Sequence, residues 1–366
     1  MPLRFHWRML MGGEESVLTR TAMNRRVETG LPDLEAQIHF CRCAEESGID
    51  SLLTDFGFSK PDPILLAAAL GLATEKINFI VAYRSGLLCP TIFVQQLNTL
   101  STLINGRFSL NIVAGHSPEE QRFYGDYLSH DERYARTEEF LSICRALWKR
   151  SGEVSFRGKY YALEKARLNT PFVSSTRTFP EIFIGGSSPA ARSLAIDHGT
   201  CWMQIGDAPE RVRTAILPAL EAGIEVGLRM AIIARPTREE AVSAAHMLIK
   251  GSDLRRKETE KETKFVRDSD SVSIKATYEH ESEWLTSYLW TGAVRSIGGT
   301  GIALVGSPEE VASAIMEYRA IGITQFIFSG WPKLDEMLYF GKEILPLIRR
   351  KEQESEKLTL LSRGAP

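Results

Sequence analysis

The 366-residue sequence lacks a G-x-G-x-x-G turn after its first apolar run; the segment there reads MLMGGEESV, from Met9 to Val17. That absence argues against a doubly wound sheet with a dinucleotide on its first turn, and against nicotinamide chemistry within this chain. Charge of one sign is also missing. Lys and Arg number 44 against 46 Asp and Glu, a formal net charge of −2, so no general affinity for nucleic acid or a membrane surface is expected. Long apolar runs are absent from the start, where MPLRFHWRMLMGG is too short and too basic for a signal peptide or membrane anchor. A cytoplasmic protein is expected. Cysteine is scarce: Cys41, Cys43, Cys89, Cys144 and Cys201 make an odd count of five inside apolar segments, the pattern of reduced thiols. Cys41 and Cys43, two apart on an expected helix, point in different directions, so no metal site is expected.

What is present is alternation. Short apolar runs and amphipathic stretches follow one another almost from end to end, the pattern of repeated strand-helix units around a parallel sheet. FHWRML (Phe5 to Leu10), SLLTDF (Ser51 to Phe56), INFIVAYR (Ile77 to Arg84) and FSLNIVAG (Phe108 to Gly115) read as the first four strands. EIFIGG, CWMQIG, EVGLRMAIIAR and TQFIFSGW supply four more, starting near residues 181, 201, 225 and 325. Eight such units are the count of a TIM (β/α)8 barrel. Two features break the rhythm: an expected β-hairpin over Glu153 to Leu168, and a polar insertion at about 250–290 between strands seven and eight. The insertion includes KGSDLRRKETEKETKFVRDSDSVS, which reads either as a solvated excursion or, from its position at the barrel mouth, as a closing lid. Residues 1–350 are expected to form one domain and 351–366 a peripheral tail.

The turn in FIGGSSPAARSL (Phe183 to Leu194) joins the fifth strand to a helix starting near Pro189. Unpaired N–H groups and the dipole at a helix start favour an anion such as phosphate. Ser188 before Pro189 is equally an ordinary helix start.

Six separated motifs, NIVAGHSPEEQ, SHDERYART, FIGGSSPAA, LWTGAV, GTGIALVGSPEEVASAIMEYRAIGI and FIFSGWPKLDE, stand in one order along the chain. On these the sequence resembles the bacterial luciferase-like flavin-dependent monooxygenases, and is most similar to the alkanesulfonate monooxygenase branch, over roughly Phe5 to Ile348. The resemblance implies a two-component enzyme that takes FMNH2 from a separate NAD(P)H-dependent flavin reductase. Oxygen then adds to the reduced flavin to give a peroxyflavin that oxygenates a small organic substrate. It implies that Gly186, Ser187 and Ser188 hold the FMN phosphate, that Asn111, Ala114 and Gly115 lie at the isoalloxazine, and that His130 and Tyr134 follow the ribityl and phosphate. It also implies a non-proline cis peptide between Ala82 and Tyr83, and a homodimer or homotetramer.

The sequence departs from the alkanesulfonate branch at its mouth. Gly12, Lys60, Ala231 and Ile297 stand where that branch has polar catalytic or anion-binding side chains; Trp331 replaces a tyrosine and Ile205 a tryptophan, and Ala114 replaces a threonine. Arg229 is retained. Three sulfonate oxygens need several charged donors, so the reading is a larger or less anionic substrate, a biosynthetic intermediate rather than a simple sulfonate. Arg229 is the candidate near the reactive oxygen or a substrate acceptor; Lys60 and His116 are candidates for proton transfer, and Trp331 makes the pocket more apolar. Other readings are an organosulfur monooxygenase with an anion site rebuilt from Lys60, Arg84 and Arg229, an F420-dependent oxidoreductase, and a flavin-binding protein without catalysis.

Overall fold

The computed structural model describes residues 2–11, 31–58, 60–115, 117–149, 152–249, 282–294 and 299–363. Its strands are β1 (Arg4–Arg8), β2 (Ser51–Thr54), β3 (Asn78–Arg84), β4 (Phe108–Val113), the hairpin β5 (Val154–Arg157) and β6 (Ala162–Ala166), β7 (Ile182–Gly185), β8 (Cys201–Ile205), β9 (Glu225–Ala234), β10 (Leu289–Trp290), β11 (Ala303–Gly306) and β12 (Ile323–Ser329). Parallel pairing runs β12-β1-β2-β3-β4-β7-β8, and β9 joins both β8 and β12, which closes an eight-stranded parallel barrel. The expected TIM barrel is therefore the observed fold.

Helices follow the strands: α1 (Leu34–Glu46), α2 (Pro63–Leu72), α3 (Pro90–Leu103), α4 (Pro118–Phe123), α5 (His130–Lys149), α6 (Pro189–His198), α7 (Pro209–Glu221), α8 (Arg238–Ile249), α9 (Pro308–Ala320), α10 (Lys333–Tyr339) and α11 (Leu345–Arg363). Their starts are written locally. Asp62 accepts from the N–H groups of Ile64 and Leu65, both at 2.9 Å, ahead of Pro63. Ser307 and Glu310 form a reciprocal capping box ahead of α9.

Because the strands are parallel and covered on both faces, they read as near-continuous apolar runs. Pleating still sorts them. Phe5 and Trp7 of β1 and Phe326 and Phe328 of β12 point outward, where they pack with Phe340 under the helices. Leu53, Ile80, Ala82, Phe183, Cys201, Met203 and Ile327 fill the interior. Below them a polar layer closes the N-terminal end: Arg4 pairs with Glu181 at 2.9 Å and Glu225 at 2.6 Å, Gln325 donates to Glu225, and His6 Nε2 meets Gln325 Oε1 at 2.9 Å.

Several expectations change. β11 pairs in parallel with Ala231 to Ala234 at the far end of β9, and β10 adds antiparallel to β11. These two strands were not anticipated, since a run as short as ALVG carries no periodicity that separates it from loop. The described end of the 250–290 insertion thus contains β10; residues 250–281, where a lid was expected, lie outside the described residues. The bond between Ala82 and Tyr83 is not cis, and the single cis peptide among the described residues joins Trp331 to Pro332. β3 keeps regular pairing through that point, Ala82 with Asn111 and Tyr83 with Ile112, which a trans chain satisfies without the roughly 3–4 kcal/mol of a cis non-proline bond. Residue 350 lies within α11, along which buried Glu352 accepts from the Leu3 N–H at 2.7 Å.

Burial pushes His6 down from 6.5 to about 4, with nearby Arg4 adding to the effect and the Gln325 contact opposing it. The folded protein therefore keeps His6 neutral while the unfolded chain gains a proton, so stability is full above about pH 6.5 and falls as pH drops toward about 4, by about 3 kcal/mol. Urea unfolding of wild type and His6→Gln over that range checks this: the wild type is expected to show the steeper loss, and equal slopes would contradict it.

Candidate active site

Register fixes what faces the barrel mouth. His6, Leu53, Ile80 and Asn111 share the inward face of their strands, as do Phe183, Met203, Arg229 and Ile327. One step further up lie Arg8 at the end of β1, Asp55 past β2, Arg84 on β3, Gly185 on β7, Ile205 on β8 and Ser329 on β12. A TIM barrel builds its site from such C-terminal strand ends.

On one side of the mouth, Asp55 is buried and shared by three cations. Arg8 donates to Oδ2 through Nε, the Lys60 ammonium lies 3.2 Å from the same oxygen, and Arg229 Nη2 lies 3.4 Å from Oδ1. Burial alone would raise the Asp55 carboxyl; the charges of Arg8, Lys60 and Arg229 overcome it and hold the group well below the usual carboxylate range. Burial lowers Lys60, with Arg8 and Arg229 pushing the same way and Asp55 opposing; Arg229 is likewise lowered by burial. Lys60 is thus not a solvated surface side chain, because Asp55 draws it into the mouth.

On the facing side, Asn111 is buried and its Oδ1 has no hydrogen-bond partner. Gly185 lies beside it, and a Cβ there would come within 3.5 Å of that oxygen. Gly186 sits at φ +133°, and a Cβ on it would fall 2.9 Å from both the Tyr134 hydroxyl and the Ala191 methyl. His130 and Tyr134, one turn apart on α5, meet with centroids 4.9 Å apart and planes tilted by 52°, and Tyr134 reaches the β7–α6 turn. Ser188 caps α6 by accepting from Ala191 N–H at 3.2 Å, which leaves its hydroxyl proton for another acceptor. The Gly186 N–H is already donated to the Met203 carbonyl at 3.2 Å, so this turn offers fewer backbone donors than the sequence suggested. Ser187 lies between these two residues.

Ala114 and Gly115 form the turn after β4, where their carbonyls accept from Arg133 Nε at 3.0 Å and Nη2 at 3.3 Å. Gly115 takes φ +84°, and a Cβ there would collide with the Gln121 amide. Arg84 is paired with Glu120 at 2.6 Å and lies over the Phe56 and Tyr124 rings. Trp331 packs on a separate apolar cluster that contains Ala231, Ile233, Trp290, Ala303 and Val305. His116, Gly12 and Ile297 lie outside the described residues. Sequence reasoning missed Asp55 and Arg133. Asp55 lies in an apolar run, and its importance comes from Arg8 and Arg229, which are far away along the chain; an arginine four residues ahead of Thr137 on α5 looks like an ordinary helix-surface charge.

A sequence model described as luciferase-like monooxygenase matches residues 13–325. The chain belongs to the luciferase-like monooxygenase family. Solved structures similar to this luciferase-like monooxygenase include EDTA monooxygenase from Chelativorans sp. BNC1, with a TM-score of 0.75 at 19% identity, covering 96% of this chain and 94% of the other. A riboflavin lyase solved with a modified FMN and riboflavin gives a TM-score of 0.74 at 18% identity, covering 96% and 92%. An F420-dependent secondary alcohol dehydrogenase gives 0.66 at 19%, covering 95% and 99%. At such identities the likeness shows the fold alone.

Replacing the shared carboxylate of this luciferase-like monooxygenase by Asp55→Asn leaves three cations converging on a neutral amide, and is expected to destabilise the fold by about 3 kcal/mol near neutral pH. Asp55 is depressed in the folded state, so its contribution is full above its ordinary value of 3.8 and is lost as pH falls through the lower folded value. Urea midpoints of wild type and variant should therefore stay apart near neutrality and converge in acid. A gap that is absent at neutral pH would contradict the assignment.

Proposed function

We propose that this chain is a two-component, FMNH2-dependent monooxygenase that uses O2 to oxygenate a small organic molecule, a biosynthetic intermediate rather than a simple sulfonate. The observation that carries the flavin assignment is the grouping at β7–α6. Gly186 has no Cβ where one would meet Tyr134, the capped start of α6 stands beside it, and the buried Asn111 Oδ1 lacks a partner nearby. These residues fit FMN. The α6 terminus and the Ser188 hydroxyl suit the phosphate, His130 and Tyr134 the ribityl chain, and Asn111 Oδ1 is an acceptor for a ring N–H. Ala114 and Gly115, fixed by Arg133, form the turn beside the ring site.

When bound, reduced FMN supplies the reaction with O2 that no side chain can perform. The chain's own part is to bind, orient and exclude water. Arg229 places a cation at the mouth, suited to an acceptor on the substrate, and Asp55 holds that cation in position. Lys60, lowered by burial, is the group suited to moving a proton there. His116 keeps the proton-transfer role given it from sequence. Ala231, two residues beyond Arg229 on the same face of β9, belongs to the apolar cluster under Trp331, which favours an apolar body on the substrate.

The partner set follows from this reading: a NAD(P)H-dependent flavin reductase delivers FMNH2 to a cytoplasmic enzyme. Exposed Leu65 and Leu72 on α2 and Ile92 and Leu103 on adjoining α3 support a homodimer or homotetramer built on these helices.

Equilibrium titrations with FMN and riboflavin test the cradle. FMN is expected to bind at least about tenfold more tightly than riboflavin, because only FMN carries the phosphate. Gly186→Ala should erase that preference by setting a methyl against Tyr134 and straining the turn. Equal binding of the two flavins by wild type, or retention of F420 with none of FMN, would overturn the assignment.

A further inference from the structure

Among the described residues, Lys60 and Arg229 have no carboxylate partner other than Asp55, and that one side chain also serves Arg8. Arg229 makes its contact through a single nitrogen at 3.4 Å, so most of its planar donor edge is uncommitted. Arg84, the other arginine at the mouth, is taken by Glu120. Ser329 stands beside this cluster in register: it pairs with Ala231 of β9, two residues past Arg229, and follows Phe328, which pairs with Trp7 next to Arg8. Its hydroxyl is buried and has no hydrogen-bond partner.

We propose that Lys60, Arg229 and Ser329 form a binding site for a carboxylate on the substrate. The position separates this site from the cofactor. Asn111 and Gly186 belong to β4 and the end of β7, whereas the cations and Ser329 belong to β9, β12, β1 and the loop after β2, across the mouth. A carboxylate has two in-plane oxygens, which suit the guanidinium fork of Arg229 with Lys60 and the Ser329 hydroxyl as further donors. A planar carboxylate meets the planar guanidinium edge with both of its oxygens, whereas a tetrahedral sulfonate can present only two of its three oxygens to that edge. Trp331, half-buried against the closed cluster that contains Ala231, offers an apolar face past the end of β12, which suits an apolar chain on the acid. The substrate of the proposed monooxygenase is therefore an amphiphilic organic acid, an inference that rests on the flavin reading only for which molecule is oxidised.

Calorimetric titration of the full chain with hexanoate, hexanamide and hexanesulfonate at low ionic strength tests the site, alongside an FMN titration of the same samples. Wild type is expected to bind hexanoate about tenfold or more tightly than hexanamide, and more tightly than hexanesulfonate. Lys60→Met and Arg229→Met should each bring the acid-to-amide ratio toward one, Arg229→Lys should restore part of it, and FMN affinity should stay unchanged throughout. No acid preference in wild type, or one that survives both methionine variants, would overturn the proposal. Tighter hexanesulfonate binding would overturn the carboxylate in favour of the sulfonate, and a parallel loss of FMN affinity would assign the cations to the flavin instead. Failure of FMN to bind while the acid preference holds would remove the flavin reading and leave the anion site standing.

Discussion

β9 pairs with both β8 and β12, and the closure this produces decides what every other strand residue faces. Once the sheet is closed, alternate residues of eight strands share one interior that water does not reach, and the remaining residues share one apolar shell under the helices. A charged residue on the inward face must then find a partner inside or lie at an end. Arg4, Glu181 and Glu225 satisfy one another at the lower end. Arg8, Lys60 and Arg229 gather on Asp55 at the upper end, where among the described residues Lys60 and Arg229 have no other carboxylate.

The two ends differ chemically. In the lower layer Arg4, Glu181, Glu225, Gln325 and His6 Nε2 answer one another, leaving His6 Nδ1 without a partner. The upper layer combines the cations around Asp55 on one arc with a buried acceptor, Asn111 Oδ1, and a glycine cradle on the other. Buried polar groups without partners cost about 1–3 kcal/mol each, a cost that a bound ligand would remove at Asn111 and Ser329. Under the function proposed above, the glycine arc takes the phosphate-bearing flavin and the cationic arc the organic acid.

Much of this frame was legible in the sequence. The runs from FHWRML to TQFIFSGW announced the barrel because parallel strands buried on both faces are apolar throughout, and Ser188-Pro189 marked the start of α6 where it is found. Strands β10 and β11 were not legible, since they are short and their pairing depends on β9 extending past the barrel rim. At the site, Gly186 could be chosen from its turn, and Tyr134 could be matched with it only through the family resemblance. Asp55 was invisible for a physical reason. Its role is created by Arg229, which lies 174 positions away in the chain, and by Lys60, which its contact with Asp55 holds in the mouth. Local pattern reports strands and caps; it does not report which distant charges a closed barrel brings onto one carboxylate.

The central claim is that this barrel holds reduced FMN and governs its reaction with oxygen. The most direct test is to load the protein anaerobically with reduced FMN, mix it rapidly with oxygenated buffer and follow the flavin absorbance. Reoxidation distinctly slower than that of free reduced FMN, at protein concentrations that saturate the flavin, is the result the account requires. Reoxidation at the free-solution rate, with no retention of reduced FMN by the protein, would contradict it.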